Sequence, residues 1–266
     1  MILERAIEAS NKIDGWLESR EQVLLYTLAQ KVPADKAVVE LGSWMGRSTV
    51  MLAAGSLAGS RASVYAVDLF SVTSDAGFDY SVHLDPGTQE YLSVFLKNIR
   101  EAGLDAIVTP IKSSAVKAAR SWTGPPVYLI FIDANHAYSA VRSDFLEWVR
   151  HCDLGARVVF HDYRNCAFPG VRHFVDRLIV SGILRNAEVV DSILLGTLAV
   201  KGLGSVKRRL ALCPVWLPPS LGLMTKVRRK ASRVLKQGLN LIWQNSTNAK
   251  VKPPCQEIAR DGRCAD

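Results

Sequence analysis

Several features that mark specialised classes of protein are missing from this sequence. The five cysteines include no CxxC pair, so they predict reduced thiols and no disulfide framework or zinc site: Cys152, Cys166, Cys213, Cys255 and Cys264. No run reaches the roughly 18 apolar residues that a membrane-spanning helix needs. Residues 1–12 mix charged side chains into a helical pattern and contain no apolar core of a secretory signal. We therefore expect a cytoplasmic protein.

What is present is an ordinary globular composition with an uneven charge. The 266 residues are 48% hydrophobic and 22% charged, which excludes a disordered, collagen-like or coiled-coil chain and allows a full core. The formal net charge is +8, but residues 1–200 carry −3 and residues 201–266 carry +11. We therefore predict a folded domain over 1–200 and a basic, partly helical C-terminal extension over 201–266, with a disordered end.

Residues 1–200 alternate between helical and strand patterns. Residues 2–31 carry apolar side chains at helical spacing. This helix could cover the functional site, but we predict that Trp16 and Tyr26 belong to the core. Short apolar strands are predicted at 37–41, 64–67, 107–111, 127–132 and 157–160, with helices between them. Apolar strands without alternation are typical of a parallel sheet covered on both faces. The order predicts a doubly wound α/β fold, closed by an antiparallel hairpin at 188–200.

The first strand runs into a turn of the kind that binds nucleotides. Gly42 permits a tight turn, and Gly46 permits a close approach of the backbone at the start of the next helix. Trp44 stands where a dinucleotide-binding turn has its second glycine, which lets the backbone approach a pyrophosphate. A nicotinamide or flavin dinucleotide is therefore disfavoured.

Asp68 ends the next strand, some 20 residues later. A carboxylate at that place can accept hydrogen bonds from both hydroxyls of a ribose. The alternative is a helix-flanking turn with a capping aspartate, which any α/β protein contains. The turn and the carboxylate together, in this order and spacing, favour binding of an adenosine.

Two neighbouring strands also end in ionisable side chains. One is followed by Asp133 and His136, and the other by His161 and Asp162. Because the carboxyl ends of parallel strands meet at one edge, we expect these groups to share a crevice. Strand alternation predicts that His161 points away from Asp162 and is a hydrogen-bonded structural histidine. Alternatively, Asp133 only caps the following helix or steadies the loop.

The acid-x-Gly-x-x-x-Gly-x-Ser pattern starting at Glu40, together with the segments IDANH and FHDY, resembles the class I S-adenosylmethionine (SAM)-dependent methyltransferases. The branch with catechol O-methyltransferase and the family-24 methyltransferases is the most similar, over about residues 38–163. The resemblance implies a Rossmann-like sheet of seven strands. It implies that Glu40, Gly42, Ser43 and Trp44 surround the methionine part of SAM, that Asp68 holds the ribose, and that Ser113 and Ser114 lie near the adenine. It also implies that Ser48 and Asp133 contact the cofactor.

The resemblance also implies an activity, methyl transfer to a hydroxyl of a small molecule or glycan. His136 titrates near neutrality and suits the role of general base. Asp133 and Asp162 offer hard oxygen ligands that would position the acceptor, through Mg²⁺ where one is bound. In the catechol-type relatives an Asn that follows the second Asp is a third ligand, whereas here Tyr163 takes that position.

Two segments are candidates for contacts outside the central cleft. The long connection at 70–89 is a candidate lid, with Phe78, Tyr80 and His83 over the acceptor. A basic amphipathic helix is predicted at 223–243, within a region (205–243) that could meet an anionic membrane surface, a partner or a second copy of the chain. A solvated basic helix is the plain alternative. Nucleic-acid binding is disfavoured because no aromatic-rich motif accompanies the basic residues.

Two rival functions stay open at this point. The chain could keep the fold and cofactor pocket without turnover and work as a scaffold through its basic extension. It could also be a nucleotide-dependent oxidoreductase, which Trp44 disfavours.

Overall fold

A seven-stranded sheet organises the part of the chain that the computed structural model describes, residues 1–72, 74–75, 78–79, 84 and 90–213. The strands are β1 Ala37–Leu41, β2 Ser63–Asp68, β3 Ser74–Asp75, β4 Phe78–Asp79, β5 Val108–Lys112, β6 Val127–Ile132, β7 Cys152–Phe160, β8 Leu184–Val190 and β9 Ile193–Leu198. The helices are α1 Leu3–Asn11, α2 Ser19–Ala29, α3 Arg47–Ala58, α4 Leu92–Glu101, α5 Ala115–Arg120, α6 Tyr138–Trp148, α7 Pro169–Val180 and α8 Leu203–Leu212.

The strand order of the main sheet is β5-β2-β1-β6-β7-β9-β8. Its first five strands are parallel, and β9 pairs antiparallel with both β7 and β8. The order reverses between β1 and β6, which is where open α/β sheets bind ligands. The predicted doubly wound, mostly parallel sheet of seven strands with an antiparallel hairpin is confirmed.

Two apolar cores lie on the two faces of this sheet. One contains side chains of α1 to α4, such as Leu24, Met51 and Phe95, and the other contains side chains of α5 to α8, such as Phe174 and Leu210. Parallel strands between two helical layers are buried on both sides, which is why all of β1 is buried. The second core includes part of α8, so contacts with the sheet domain continue past residue 200; a domain boundary at that residue stays a prediction.

The N-terminal segment forms two helices where the sequence pattern predicted one. Residues 12–18 separate α1 from α2, and Gly15 adopts a φ of 145° that ends the helical path. A capping box between Glu18 and Glu21 then starts α2. Tyr26 is buried as predicted, but Trp16 is 48% exposed and lies on the separating segment. The prediction that Trp16 belongs to the core is therefore wrong.

The cysteine prediction is only partly correct. Cys152 and Cys213 are free and buried. Cys166 takes part in a disulfide, so the prediction of a reduced thiol is wrong for it. Cysteine spacing in a single sequence does not reveal such a pairing.

Other sequence predictions concern residues that the structure does not describe. Tyr80 and His83 of the predicted lid lie outside the described residues, as does the predicted basic helix at 223–243. Of the region 205–243, residues 205–213 are described, and they belong to α8 and the residue that follows it. Within the described ranges, no helix has both the length and the apolar character that crossing a membrane requires.

Candidate active site

A cleft of ≈1130 Å³ opens at the carboxyl edge of the parallel strands. Its walls come from the β1–α3 turn, the ends of β2 and β5, the loops after β6 and β7, and the segment between α1 and α2. The predicted site residues that line it are Gly42, Ser43, Trp44, Ser48, Asp68, Ser113, Ser114, Asp133, His136 and Asp162. The volume exceeds the roughly 300–1,000 Å³ of a typical small-molecule pocket and leaves room for two ligands side by side.

The β1–α3 turn requires a glycine at its first position. Gly42 has a φ of +83°, and a Cβ added there would stand 2.2 Å from the backbone oxygen of Asp133. The turn after β1 and the loop after β6 therefore pack backbone against backbone, with no space for a side chain at Gly42. Trp44, where the second glycine of a dinucleotide turn would stand, adopts a left-handed φ of 45°. A bulky residue held in this sparsely populated region stores strain of the kind that clusters at ligand sites.

The Asp68 carboxylate holds this turn to the end of β2. Its Oδ2 accepts hydrogen bonds from the backbone amides of Ser43, at 2.8 Å, and Trp44, at 3.0 Å. Its Oδ1 accepts hydrogen bonds from the Phe70 amide, at 2.7 Å, and the Tyr91 hydroxyl, at 2.8 Å. Four donors match the lone-pair capacity of a carboxylate. A ribose hydroxyl can therefore reach Asp68 only by replacing one of them.

Glu40 lies below the cleft and does not line it. The side chain is fully buried, and its carboxyl accepts hydrogen bonds from the hydroxyls of Ser48, at 2.6 Å, and Thr49. Burial raises the pKa of Glu40 to about 7, against the opposing effect of these hydrogen bonds. Glu40 thus holds the first turn of α3 against β1 by hydrogen bonds. Because Ser48 lines the cleft and Glu40 does not, Glu40 would influence a bound ligand only by positioning Ser48.

The loop after β5 forms another wall of the cleft. The backbone amide of Ser113 donates to the Asp68 carbonyl at 2.9 Å, which ties this loop to the end of β2. Ser114 is the N-cap of α5, and its hydroxyl accepts from the Lys117 amide at 3.4 Å. Both serines thus reach the cleft from strand β5, on the far side of β2 from the turn.

The predicted acid–histidine cluster forms at the ends of β6 and β7. Nε2 of His136 lies 3.0 Å from Oδ2 of Asp162 and 3.7 Å from Oδ1 of Asp133. The imidazole is stacked on the ring of Phe168, with centroids 4.0 Å apart, and is only 7% exposed. Asp162 has a positive φ of 56°, which ends the strand alternation and turns its carboxylate into the cluster. The alternative that Asp133 caps α6 is wrong, since Asn135 accepts the hydrogen bond of the Ala137 amide instead.

His161 belongs to this cluster, contrary to the prediction that it points away. Its Nδ1 lies 3.1 Å from both Asp133 Oδ1 and Asp162 Oδ2, and its Nε2 lies 3.4 Å from Oε2 of buried Glu21. Burial alone would lower the pKa of His161, but the three carboxylates raise it well above its usual value. Burial would likewise raise the pKa of Asp162, but hydrogen bonds and charge from both histidines lower it far below the usual range. The prediction of a hydrogen-bonded structural histidine is correct in this respect.

Glu21 anchors the cluster from the N-terminal helices. It is 1% exposed, and its Oε1 accepts hydrogen bonds from the amide of Ser192, at 2.8 Å, and from its hydroxyl, at 2.7 Å. Sequence reasoning missed this residue, which lies 140 positions from His161 in the chain. No local pattern in the sequence pointed to this contact.

Tyr163 turns away from the cluster. It is 5% exposed, packs in the second core, and its hydroxyl donates to Oδ1 of Asp176 at 2.7 Å. Burial raises the pKa of this hydroxyl. Tyr163 therefore supplies no ligand where the catechol-type relatives have one.

The other candidate metal ligands do not fit Mg²⁺ in the present arrangement. Asp133, His136 and Asp162 have ligand atoms that all lie within 4.8 Å of one another. However, His161 Nδ1 already binds one oxygen of each carboxylate, and the third ligand is an imidazole, whereas Mg²⁺ prefers oxygen. A cation that binds these two oxygen atoms would compete with His161 for them.

Asp144 is a cleft residue that sequence reasoning did not identify. It lies on α6, is 7% exposed and lines the cleft. Burial raises the pKa of its carboxyl to about 7. The sequence signal was a single acidic residue within an amphipathic helix, which usually means a solvated face.

Comparison with known protein families agrees with the geometry. Residues 39–163 match the family-24 model that is described as a methyltransferase domain. The match spans the β1–α3 turn, Asp68 and the acid–histidine cluster. The resemblance predicted for about residues 38–163 is thereby confirmed.

Solved structures share the fold at low sequence identity. The cofactor-bound protein Rv0187 from MTB is 20% identical, with a TM-score of 0.55 over 74% of this chain and 88% of that one. An O-methyltransferase from Bacillus cereus in complex with SAH is 17% identical, with a TM-score of 0.53 over 74% and 90%. The O-methyltransferase TomG from Streptomyces achromogenes, in complex with SAM, is 18% identical, with a TM-score of 0.53 over 74% and 89%. These similarities confirm the Rossmann-like architecture.

Proposed function

We propose that this protein is a SAM-dependent O-methyltransferase that acts on a hydroxyl of a small molecule or sugar. The observation that carries the proposal is the position of His136, Asp133 and Asp162 in the same cleft as the β1–α3 turn. One part of the cleft thus offers a nucleoside-type turn, and the other offers a base with two carboxylates. The structurally similar O-methyltransferases in complex with SAH or SAM support this assignment.

The wall around Asp68 fits an adenosine with one local adjustment. Two of the four hydrogen bonds to its carboxylate come from backbone amides of the β1–α3 turn, a third from the Phe70 amide, and the fourth from the Tyr91 side chain. A side chain can rotate away while a backbone amide in a turn cannot. Ribose hydroxyls would therefore replace the Tyr91 hydroxyl and leave the β1–α3 turn intact.

The remaining cofactor contacts follow from the walls of the cleft. Ser43, Trp44 and Ser48 would face the methionine part, and Ser113 and Ser114 would face the adenine. Glu40 would act indirectly, by fixing the hydroxyl of Ser48. When bound, SAM supplies a methyl group made electrophilic by its sulfonium.

The acid–histidine cluster would prepare the acceptor hydroxyl. The imidazole of His136 accepts the hydroxyl proton, and Asp133 and Asp162 stabilise the imidazolium that results. Stacking on Phe168 holds the plane of the ring. Such a positioned base contributes typically 10²–10⁴-fold to the rate. His161 and Glu21 position the two carboxylates from below.

Transfer of a labelled methyl group tests this function. Purified protein is incubated with SAM carrying an isotopic label on the methyl group and with panels of phenols, catechols, sugars, hydroxy acids, amines and thiols. We expect label in a methyl ether of at least one class. Label that enters only amines or thiols would contradict the O-directed assignment.

The same assay tests the role of a metal. Because His161 competes for one oxygen of each carboxylate and the third ligand is an imidazole, which Mg²⁺ disfavours, we expect turnover to be unchanged by a chelator such as EDTA and by added Mg²⁺. A large loss of activity in EDTA, restored by Mg²⁺, would show that the carboxylates leave His161 to bind a cation.

A further inference from the structure

Helix α8 buries one side in the second core and turns a basic side to the solvent. Val206 and Leu210 are buried there. Three consecutive basic side chains of the helix are exposed: Lys207, Arg208 and Arg209. Leu212, in the last turn, is 87% exposed. Residues 201–213 contain four lysines and arginines and no Asp or Glu, so no acidic side chain of this segment offsets their charge.

The basic side of α8 lies beside the end of α7. Nη1 of Arg209 donates to the Ser181 carbonyl at 3.2 Å, which holds the two helices together at this point. Val180, in the last turn of α7, is 43% exposed. Residues 177–187 contain no Asp or Glu either. We name the exposed residues of this surface the α8 patch: Val180, Lys207, Arg208, Arg209 and Leu212.

We propose that the α8 patch binds the protein to an anionic lipid surface. Lipid headgroups of negative charge attract the three cations, and each basic residue near such a surface adds roughly fivefold to the affinity. Exposed apolar side chains beside cations can enter the boundary between headgroups and acyl chains, which suits Leu212 and Val180. Beyond Cys213 the chain continues with ten lysines and arginines against three acidic residues, so its charge has the same sign as the patch.

The composition of the α8 patch favours lipid over nucleic acid. Proteins that bind single strands combine basic residues with aromatic rings on which bases stack. The patch contains no aromatic residue, and its two apolar side chains would have no role against a phosphate backbone. A lipid surface uses both kinds of side chain present, the basic and the aliphatic.

Binding through the α8 patch leaves the cleft open. Helix α7 begins at Pro169, next to Phe168 of the cleft wall. A helix rises about 1.5 Å per residue, so Val180 lies about 17 Å further along its axis. None of the five patch residues lines the cleft. Lipid binding and methyl transfer to a soluble acceptor are therefore separate properties of the protein.

Sedimentation with vesicles tests the lipid contact. The whole chain is mixed with vesicles of phosphatidylcholine alone, and with vesicles of equal parts of phosphatidylcholine and phosphatidylglycerol. We expect binding to the anionic vesicles only, weakened by added salt because exposed charges are screened. Lys207→Gln combined with Arg208→Gln should weaken that binding about 25-fold. Leu212→Ala should weaken it about fivefold, since less apolar surface enters the boundary.

Lys97→Gln combined with Arg100→Gln is the matched control. Both residues are exposed on α4, whose buried side chains belong to the other core, and the change in net charge is the same. The control should keep binding within about threefold, because charges far from the contact are screened. Equal losses in the two double variants would overturn the proposal, and so would equal binding to both kinds of vesicle or binding to neither.

Two further measurements separate this proposal from its rivals. The same proteins are titrated with a fluorescent single-stranded oligonucleotide. If the α8 double variant loses binding to the oligonucleotide but not to the anionic vesicles, the patch binds nucleic acid and the proposal is overturned. Methyl transfer to a soluble hydroxyl acceptor should be unchanged in every variant. A wild type that binds anionic vesicles but methylates no hydroxyl overturns the proposed function and supports the lipid contact.

Discussion

Replacing His136 with alanine is expected to lower turnover by about 10²–10⁴-fold, which is the usual contribution of a positioned general base. Affinity for S-adenosylhomocysteine should stay nearly unchanged, because His136 belongs to the acid–histidine cluster, apart from the β1–α3 turn and Asp68. Steady-state kinetics with an accepted hydroxyl substrate and calorimetry with S-adenosylhomocysteine measure the two effects.

His151 provides the matched control for this substitution. Its Nε2 lies 2.7 Å from the Ala119 carbonyl at the end of α5, and it does not line the cleft. His151→Ala should therefore keep turnover within a few-fold, after correction for any loss of folded protein. Unchanged turnover in His136→Ala would remove His136 as the base. If no hydroxyl acceptor is methylated although the cofactor binds, the scaffold interpretation gains support instead.

Replacing Gly42 with alanine should destabilise the fold by about 3 kcal/mol or more. The added Cβ would stand 2.2 Å from the Asp133 backbone oxygen, so β1 and the loop after β6 would have to separate. Overpacking of this kind costs roughly 1–3 kcal/mol or more, and the left-handed φ of +83° adds about 1–2 kcal/mol. Chemical denaturation followed by circular dichroism measures the loss.

Replacing Gly155 with alanine separates the cost of the left-handed φ from the cost of overpacking. Its φ is +87°, close to that of Gly42, but a Cβ there meets nothing within 4 Å. Gly155→Ala should therefore cost only the backbone part, about 1–2 kcal/mol. Equal losses for the two variants would mean that the contact between the turn and the loop after β6 is not tight.

The sequence predicted the parts of this site that depend on local order along the chain. Apolar strands followed by glycine or an acid mark the carboxyl ends of β1, β2, β6 and β7, and the parallel topology brings those ends together. The sequence could therefore place Gly42 with Asp68 at one ligand site and Asp133 with Asp162 at one crevice. The family resemblance then predicted that Asp133 joins the residues around the cofactor.

The contacts that sequence reasoning missed are made between distant segments. Glu21 lies 140 residues before His161 in the chain and contacts its imidazole. Strand alternation alone would point His161 away from the cluster, but this contact holds it in the cluster. Trp16 follows Gly15, whose unusual φ redirects the chain toward the cleft. Asp144 differs from a solvated helix residue only in how α6 packs on α5. No periodicity in one sequence encodes these tertiary relations.

The most direct test of the central claim is calorimetric titration of SAM and of NAD⁺ into the purified protein, with Asp68→Ala alongside. We predict that SAM binds, that NAD⁺ does not, and that Asp68→Ala weakens SAM binding, because that variant loses both the ribose contact and the carboxylate that holds the amides of Ser43 and Trp44. Binding of NAD⁺ in preference to SAM, or of neither ligand, would contradict the methyltransferase assignment.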